Sequence, residues 1–135
     1  MNKKFVIIIN EKISAGEAVN TAAILSSAIC SKVDDLIGSD ITDKDDFTHS
    51  GITKHNIIIV KSSKNKLKNI IKSAKKCELI TADFTDIAQK HHNNYEGYAN
   101  ELKLSDENNF DYLGVAIFGP QEDVNVLTSK LSLFR

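Results

Sequence analysis

The sequence contains no tryptophan, a single proline (Pro120), one arginine (Arg135) and only two cysteines. Cys30 and Cys77 lie far apart and belong to no CxxC or Cys/His pattern, so we expect two reduced, largely buried thiols. The longest apolar run, Phe5–Ile9, is far shorter than the ~20 residues that span a bilayer. Polar residues follow this run too soon for a signal peptide. These absences predict a cytoplasmic protein with no membrane partner.

The composition that remains is typical of one globular domain. Hydrophobic residues make up 41% of the 135 residues, which is enough to bury a core, and we expect a single domain over residues 1–135. The formal net charge is −1, but residues 61–77 hold seven lysines and no acidic residue. Such a face could contact RNA phosphates, although the lack of interleaved arginine or aromatic residues favours a solvated helix face.

Strand and helix patterns alternate along the chain. Short apolar runs rich in β-branched residues predict four strands, at 4–10, 56–60, 78–84 and 110–118. Apolar residues at helical spacing predict helices at 18–31, 64–76 and 121–131, with another beginning at Thr85 and restarting near Tyr95. This order predicts a three-layer α/β/α fold with a mostly parallel or mixed four-stranded sheet. Periodicity does not say which of the strands would be antiparallel.

Polar residues follow the predicted strands, where the working surface of such sheets usually lies. If the four strands run in one direction, their carboxyl ends bring Asn10, Lys61, Asp83 and Gly119 to the same edge. Residues 32–55 are polar, hold six aspartates and predict an irregular segment with at most a minor strand beginning at Ile41. A long irregular segment in a small domain tends to be functional.

Several groups of residues resemble a known family. Leu113-Gly-Val-Ala-Ile-Phe-Gly-Pro120 and the helix after it resemble the C-terminal strand and helix of peptidyl-tRNA hydrolase type II. The segments beginning at Ala18, His49 and Ala82, with Tyr95 and Tyr98, are similar to an uncharacterised bacterial branch, domain of unknown function 2000. The resemblance covers nearly the whole chain. It implies a peptidyl-tRNA hydrolase type II-like fold and a homodimer.

The resemblance disfavours the hydrolase activity itself. The type II enzymes carry a lysine in the turn that opens the first helix, and this turn holds Glu17 instead. Their threonine at the start of the closing strand corresponds to Gly114, whereas their acidic residue corresponds to Asp83. A carboxylate in the lysine's place supplies neither positive charge nor attraction for phosphate. The enzyme assignment therefore stays uncertain, with peptidyl-tRNA hydrolysis disfavoured.

His49 and Asp83 are the candidate catalytic residues. A histidine in a glycine-containing loop, beside a carboxylate at a strand end, has the makings of a general base with an orienting partner. Asn20, one turn into the first helix, could hold a ligand amide or carbonyl group. The alternative is structural: His49 hydrogen-bonds its own loop and Asp83 caps the following helix.

The helix start at Ser14 and Gly16 is a further candidate, because free N–H groups and the helix dipole favour an anion. The alternative is that Ser14 and Glu17 form a capping box. Gly51 and Thr85, next to the two candidate catalytic residues, complete the predicted ligand-binding set. We expect no metal and no cofactor: the aspartates of 34–46 lack the calcium-loop order, and two adjacent histidines have no third ligand.

Three functions remain open on the sequence alone. The leading hypothesis is binding of a small or nucleotide-like ligand, with the ancestral catalytic groups lost. The second is an active hydrolase, acting on peptidyl-tRNA or a related ester through rearranged residues. The third is a homodimeric interaction module without a ligand. Tyr95 and Tyr98, which share a helix face, are packing residues, a lid over the sheet edge or an aromatic wall for a ligand.

Overall fold

A computed structural model describes residues 2–135. Within them, the chain forms a mixed α/β domain with a five-stranded sheet, a separate two-stranded hairpin and five α-helices. The strands are β1 (Lys3–Asn10), β2 (Ile41–Thr42), β3 (Thr48–His49), β4 (Ile57–Ser62), β5 (Ile80–Thr85), β6 (Tyr112–Pro120) and β7 (Ser132–Leu133). The helices are α1 (Ala15–Lys32), α2 (Lys64–Lys76), α3 (Asp86–Lys90), α4 (Tyr95–Lys103) and α5 (Gln121–Thr128), with a 3₁₀ turn at Glu107–Asn109.

The sheet separates two apolar layers, because successive side chains of a strand point to opposite faces. On β1, Phe5, Ile7 and Ile9 pack with Leu25 and Ile29 of α1. Val6 and Ile8 pack on the other face, against side chains of α2 and α5. Because both faces of β1 are covered, its residues from Phe5 onwards are buried. The three-layer α/β/α arrangement predicted from the alternating elements is therefore observed.

The large sheet has the order β5-β6-β1-β4-β7. β1 pairs parallel with β4, whereas β6 is antiparallel to both β1 and β5. Consequently β1, β4 and β5 point one way and β6 points the other. Gly119 pairs with Lys4, near the start of β1. It therefore lies at the opposite end of the strands from Asn10. The condition under which Gly119 would join the other strand ends, four strands in one direction, is therefore not met. The sequence left this open because a strand buried on both faces has the same apolar pattern in either direction.

The number of strands in the sheet also differs from the prediction of four. Ser132–Leu133 forms a short fifth strand antiparallel to β4, with Leu133 opposite Val60. Two residues are too few to produce a periodic signal, so the sequence predicted only the end of a helix there. The closing strand has the predicted length but lies two residues further along the chain, from Tyr112 to Pro120, and Pro120 pairs with Lys3. A proline is tolerated at that last position, where a missing N–H disturbs the ladder least.

The helix boundaries follow from local capping. The Ser14 hydroxyl accepts a hydrogen bond from the Glu17 N–H at 3.2 Å, and the Glu17 carboxylate accepts one from the Ser14 N–H at 3.1 Å. This is the capping box that the spacing predicted. Ser63 caps α2 in the same way, accepting from the Lys66 N–H at 3.3 Å. None of the helices within residues 2–135 is long and apolar enough to cross a membrane.

The segment before β4 is more ordered than the sequence predicted. β2 and β3 pair as a small antiparallel hairpin, in which Ile41 lies opposite His49. A bridge between Ile37 and Thr53 closes the base of the segment. The segment enters β4 at the end where β1 begins, since Phe5 pairs with Ile57. The hairpin therefore lies at the end of the sheet opposite the start of α1.

Candidate functional site

One concave site lies along β5, which is an edge strand of the large sheet. α1 covers one face beside β5, and the short helices α3 and α4 follow β5 and return over its free edge. Together they enclose a cavity of about 580 Å³, which is within the range of roughly 300–1,000 Å³ that small-molecule sites occupy. We call it the edge cavity, and it is lined by Ile24, Ala28, Asp83, Phe84, Ala88, His91, Asn93, Asn94, Tyr95 and Tyr98.

The walls of the edge cavity are apolar and aromatic. Ile24 and Ala28 of α1 lie on one side and Phe84 of β5 forms part of the floor. On the other side the rings of Tyr95 and Tyr98 pack edge to face, with centroids 5.4 Å apart and planes at 75°. The tyrosine pair thus forms part of the wall of a cavity at the sheet edge. This position is consistent with two of the three roles considered for the pair, a lid over the sheet edge and an aromatic wall for a ligand.

Asp83 is the acidic residue of this cavity. Burial raises the pKa of its carboxyl group, and the charges of Lys75 and Lys32 only partly oppose this effect. Burial first, and then the Asp83 carboxylate, raises the pKa of Tyr98. The same two causes, with a smaller contribution from Glu107, raise the pKa of Tyr112 to about 12. Asp83 pairs with Val115, which packs on the α2 face of the sheet, whereas its neighbour Phe84 packs on the α1 face. The Asp83 side chain therefore lies on the α2 side of this edge strand.

His91 is a second titratable residue of the cavity, and the sequence did not predict it. Its Nε2 lies 2.9 Å from Oε1 of Glu101 on α4, while the other carboxylate oxygen lies 2.7 Å from Lys90 Nζ. These two hydrogen bonds lower the pKa of Glu101, and the bond from Lys90 has the larger effect. A side chain at Gly97 would collide with the Asn94 amide and with His91 Nδ1. The glycine therefore allows the histidine to lie under the first turn of α4.

Asn20 lies in a smaller adjoining cavity of about 290 Å³, which shares Ile24, Phe84 and His91 with the edge cavity. Gln89 also lines this smaller cavity and donates a hydrogen bond to Glu17 Oε2 at 2.8 Å. That bond and those to Ser14 lower the pKa of Glu17. Asn20 and Asp83, two of the predicted residues, therefore line two adjoining cavities.

His49 lies elsewhere. It is in the hairpin at the opposite end of the sheet, and its Nε2 is 2.8 Å from Asp43 Oδ2, with the His49 side chain 66% exposed. The His49 hydrogen bond, followed by that of the Phe47 N–H, lowers the pKa of Asp43. The cavity that His49 lines shares no residue with the edge cavity. The structure therefore does not bring His49 together with Asp83, and the local hydrogen bonding considered as the alternative is what His49 forms.

The other predicted ligand-binding residues have local structural contacts. Ser14 is engaged in the capping box, and Gly16 lies in open space on the first turn of α1. The Gly51 N–H donates to Asp40 Oδ1 at 2.8 Å. Thr85 is fully buried and its hydroxyl accepts from the Ala88 N–H at 3.2 Å, so it caps α3. Among these four residues, none lines the edge cavity.

The lysine face of α2 is partly neutralised within the chain. Lys68 donates to the Glu107 carbonyl oxygen at 3.0 Å, and Lys72 lies 2.7 Å from the Glu107 carboxylate. Lys64 lies 3.9 Å from Asp111. Because the 107–111 segment binds these lysines, the face has less positive charge to offer RNA than its sequence indicates.

Gly114 is covered by α1. A Cβ atom at this position would lie 2.7 Å from Thr21 Cγ2, 3.0 Å from Leu25 Cδ1 and 3.2 Å from the Ile8 carbonyl oxygen. Thr21 and Leu25 are fully buried. Gly114 is therefore packed directly beneath α1.

Comparison with known proteins gives a family and a fold. A family model described as a protein of unknown function, DUF2000, matches residues 3–135. The structure matches that of a protein of unknown function from Agrobacterium tumefaciens strain C58, with a TM-score of 0.90 and 14% sequence identity. The match covers 100% of this chain and 99% of that chain. No curated protein matches the sequence. At 14% identity the likeness shows the fold alone.

Proposed function

The chain belongs to the DUF2000 family of proteins of unknown function, and we propose that it binds a small or nucleotide-like ligand in the edge cavity. The observation that carries this proposal is the cavity of about 580 Å³ with an aromatic wall and the half-buried Asp83. Ligand sites are typically apolar clefts with a few polar groups and perturbed pKa values. The edge cavity combines all of these properties on one strand and three helices.

The contacts around the cavity favour a preformed site. His91 is bonded to Glu101 at 2.9 Å, and Asn94 accepts from the Gly97 N–H at 3.0 Å. Both bonds tie the 91–94 turn to α4, and preorganised groups lose little conformational entropy when a ligand binds. Cys30 is half-buried and Cys77 is exposed, so the expectation of two largely buried thiols is wrong. Free thiols are compatible with the reducing cytoplasm, where we propose that the protein acts.

We further propose a peptidyl-tRNA hydrolase type II-like fold from which the ancestral catalysis has been lost. The closing strand and helix, Tyr112–Pro120 and Gln121–Thr128, support the fold. Two contacts support the loss of catalysis. Gly114 is packed under Thr21, and Glu17 is bonded to Ser14 and Gln89. In a peptidyl-tRNA cleavage assay we expect no turnover, and turnover that Asp83→Ala abolishes would contradict this proposal.

Ligand binding is tested by filling the cavity. We expect a fragment library, followed by ligand-observed NMR and native mass spectrometry, to yield compounds that bind the unmodified protein. Ala28→Trp places an indole ring in the cavity and should abolish their binding. Ser27→Trp, on the exposed side of the same helix, is the matched control and should leave binding intact. Binding that survives Ala28→Trp in a folded variant would show that the edge cavity is not the site.

A homodimeric interaction module is the second candidate function, and the hairpin supports it. Ile41, Phe47 and Ile52 are 69%, 69% and 79% exposed, and exposed apolar groups of this size often mark interfaces. Analytical ultracentrifugation should then show a dimer that Phe47→Ser dissociates. A monomer at all accessible concentrations would exclude this candidate.

A further inference from the structure

The residues that line the edge cavity include a carboxyl group but no lysine or arginine. The nearby lysines are engaged elsewhere or act from a distance. Lys90 lies 2.7 Å from Glu101 Oε2, and Lys32 donates to the Thr81 carbonyl oxygen at 3.3 Å. Lys75, on the last turn of α2, affects Asp83 only through its field. A ligand phosphate or carboxylate would therefore lose its hydration in the cavity without meeting a cation among the lining residues.

Asp83 has no ion-pair partner within 4.0 Å among residues 2–135. The carboxyl group is half-buried on the edge strand, and an unpaired carboxylate in such a place is unfavourable unless a cation or donors reach it. Within the described part of the chain, neither a lysine nor an arginine lies at contact distance. A positively charged ligand group would complete the missing half of an ion pair.

The aromatic wall favours the same sign of charge. Tyr95 and Tyr98 both line the cavity, and their rings pack edge to face with centroids 5.4 Å apart. Ring faces carry negative quadrupolar charge and attract ammonium and guanidinium groups within about 6 Å. Ile24, Ala28 and Phe84 supply an apolar surface for the rest of the ligand.

We propose that the edge cavity selects a ligand with a positively charged nitrogen on an apolar, ring-sized body. The nitrogen pairs with the Asp83 carboxylate beside Tyr98 at the free edge of β5, and the body packs against Ile24 and Phe84 on the α1 face. This proposal rests on the proposed ligand-binding function and adds the chemical class of the ligand. A nucleotide-like compound would enter through a protonated base or amine, with its phosphate outside the cavity.

The proposal has a pH dependence of defined sign. The cation binds the ionised form of Asp83, so its affinity rises as the pH increases through the pKa of that carboxyl group. The other charged or titratable groups that face Asp83 are Lys32 from α1, Lys75 from α2, Tyr98 from α4, Tyr112 from β6 and, across the cavity, His91 at the end of α3.

Three probes of one shape and different charge test the proposal. They are 2-phenylethylamine (a cation), 2-phenylethanol (neutral) and 3-phenylpropanoate (an anion). Isothermal titration calorimetry at pH 7.5 measures their affinities, and NMR shifts of the Ala28 and Tyr98 amides locate the site. We expect the amine to bind about 10-fold more tightly than the alcohol, as one desolvated charge contact provides, and the propanoate to bind least.

Asp83→Asn isolates the charge. In this variant the amine should bind within about twofold of the alcohol, because the carboxylate that distinguishes them is gone. Asp43→Asn, which removes a carboxylate from the hairpin at the other end of the sheet, is the matched control and should keep the 10-fold preference. In the unmodified protein the amine's affinity should rise between pH 4.5 and 7.5, and the alcohol's should rise far less.

The outcomes separate this proposal from ligand binding as such. If the three probes bind the cavity equally, or the propanoate binds best, the charge selectivity is wrong and the ligand-binding function stands. If Asp83→Asn keeps the amine preference, Asp83 is not the partner of the cation and the proposal is also overturned. If no probe and no fragment binds in a way that Ala28→Trp prevents, the ligand-binding function itself fails.

Discussion

Gly114 offers the sharpest test of how α1 lies on the sheet. A Cβ added there would approach Thr21 Cγ2 to 2.7 Å, whereas carbon atoms prefer separations of about 3.5–4.0 Å. Thr21 is β-branched, helical and fully buried, so it has few other rotamers available. The Ile8 carbonyl oxygen, at 3.2 Å, is backbone and yields less easily.

We therefore expect Gly114→Ala to destabilise the protein by roughly 1–3 kcal/mol, the usual effect of overpacking a core. For a domain of this size, each kcal/mol lowers Tm by roughly 3–5 °C. Urea denaturation followed by circular dichroism measures the loss. Gly16→Ala is the matched control, because a Cβ on Gly16 meets nothing within 4 Å. In the first turn of α1, that change should be neutral or stabilise by up to about 1 kcal/mol.

A double-mutant cycle identifies the contact responsible. Thr21→Ser removes the colliding Cγ2, so Gly114→Ala should be less damaging in that background, with a coupling of about 1 kcal/mol. Leu25 remains 3.0 Å from the new Cβ and keeps the rescue partial. If Gly114→Ala is as harmless as Gly16→Ala, or the coupling is zero, the packing of α1 on β6 is not as described. The packing argument for lost hydrolase chemistry would then fall as well.

Two further predictions concern the edge cavity. Asp83→Asn should raise Tm at pH 7: burial raises the pKa of the folded-state carboxyl group, so its ionisation removes stability as the pH rises. The gain should shrink below the unfolded-state pKa of about 3.9, and thermal melts between pH 3.5 and 8 would show a constant difference if this reasoning is wrong. Gly97→Ala should weaken the packing of α4 on His91 and Asn94 by about 1 kcal/mol. Hydrogen exchange of α4 should then accelerate relative to α2, and unchanged exchange would refute the contact.

Elements with a local signal were predictable from the sequence. α2 has its predicted bounds, Lys64–Lys76, because Ser63 caps it and one apolar stripe alternates with lysines. β1 was likewise evident as a short run of β-branched residues. The direction of β6 was not predictable, because that strand is buried on both faces and its apolar pattern is the same in either direction. Only its pairing with both β1 and β5 determines its orientation.

The site was predicted only in part, for a similar reason. Asp83 stood out as a carboxylate at the end of a predicted strand, and Asn20 as a polar residue one turn into the first helix. His91 was missed because its partner, Glu101, lies on a different helix and meets it only through the turn that joins α3 to α4. Pairs within one helix follow fixed spacings, but a pair between two short helices leaves no periodic signal. Gly97 was the available hint, as a glycine inside a helical pattern.

A structural role and a ligand-binding role for Asp83 predict opposite effects of Asp83→Asn on stability. A carboxylate that stabilises the fold by pairing or capping loses stability when it becomes asparagine. Thr85 already caps α3, and no lysine lies within ion-pair distance of Asp83 among the described residues. The same Asp83→Asn protein should therefore melt at a higher temperature at neutral pH and lose its preference for a cationic probe. Residues that lower stability while serving a site commonly show this opposition, and a variant that lost both stability and selectivity would make Asp83 a structural residue.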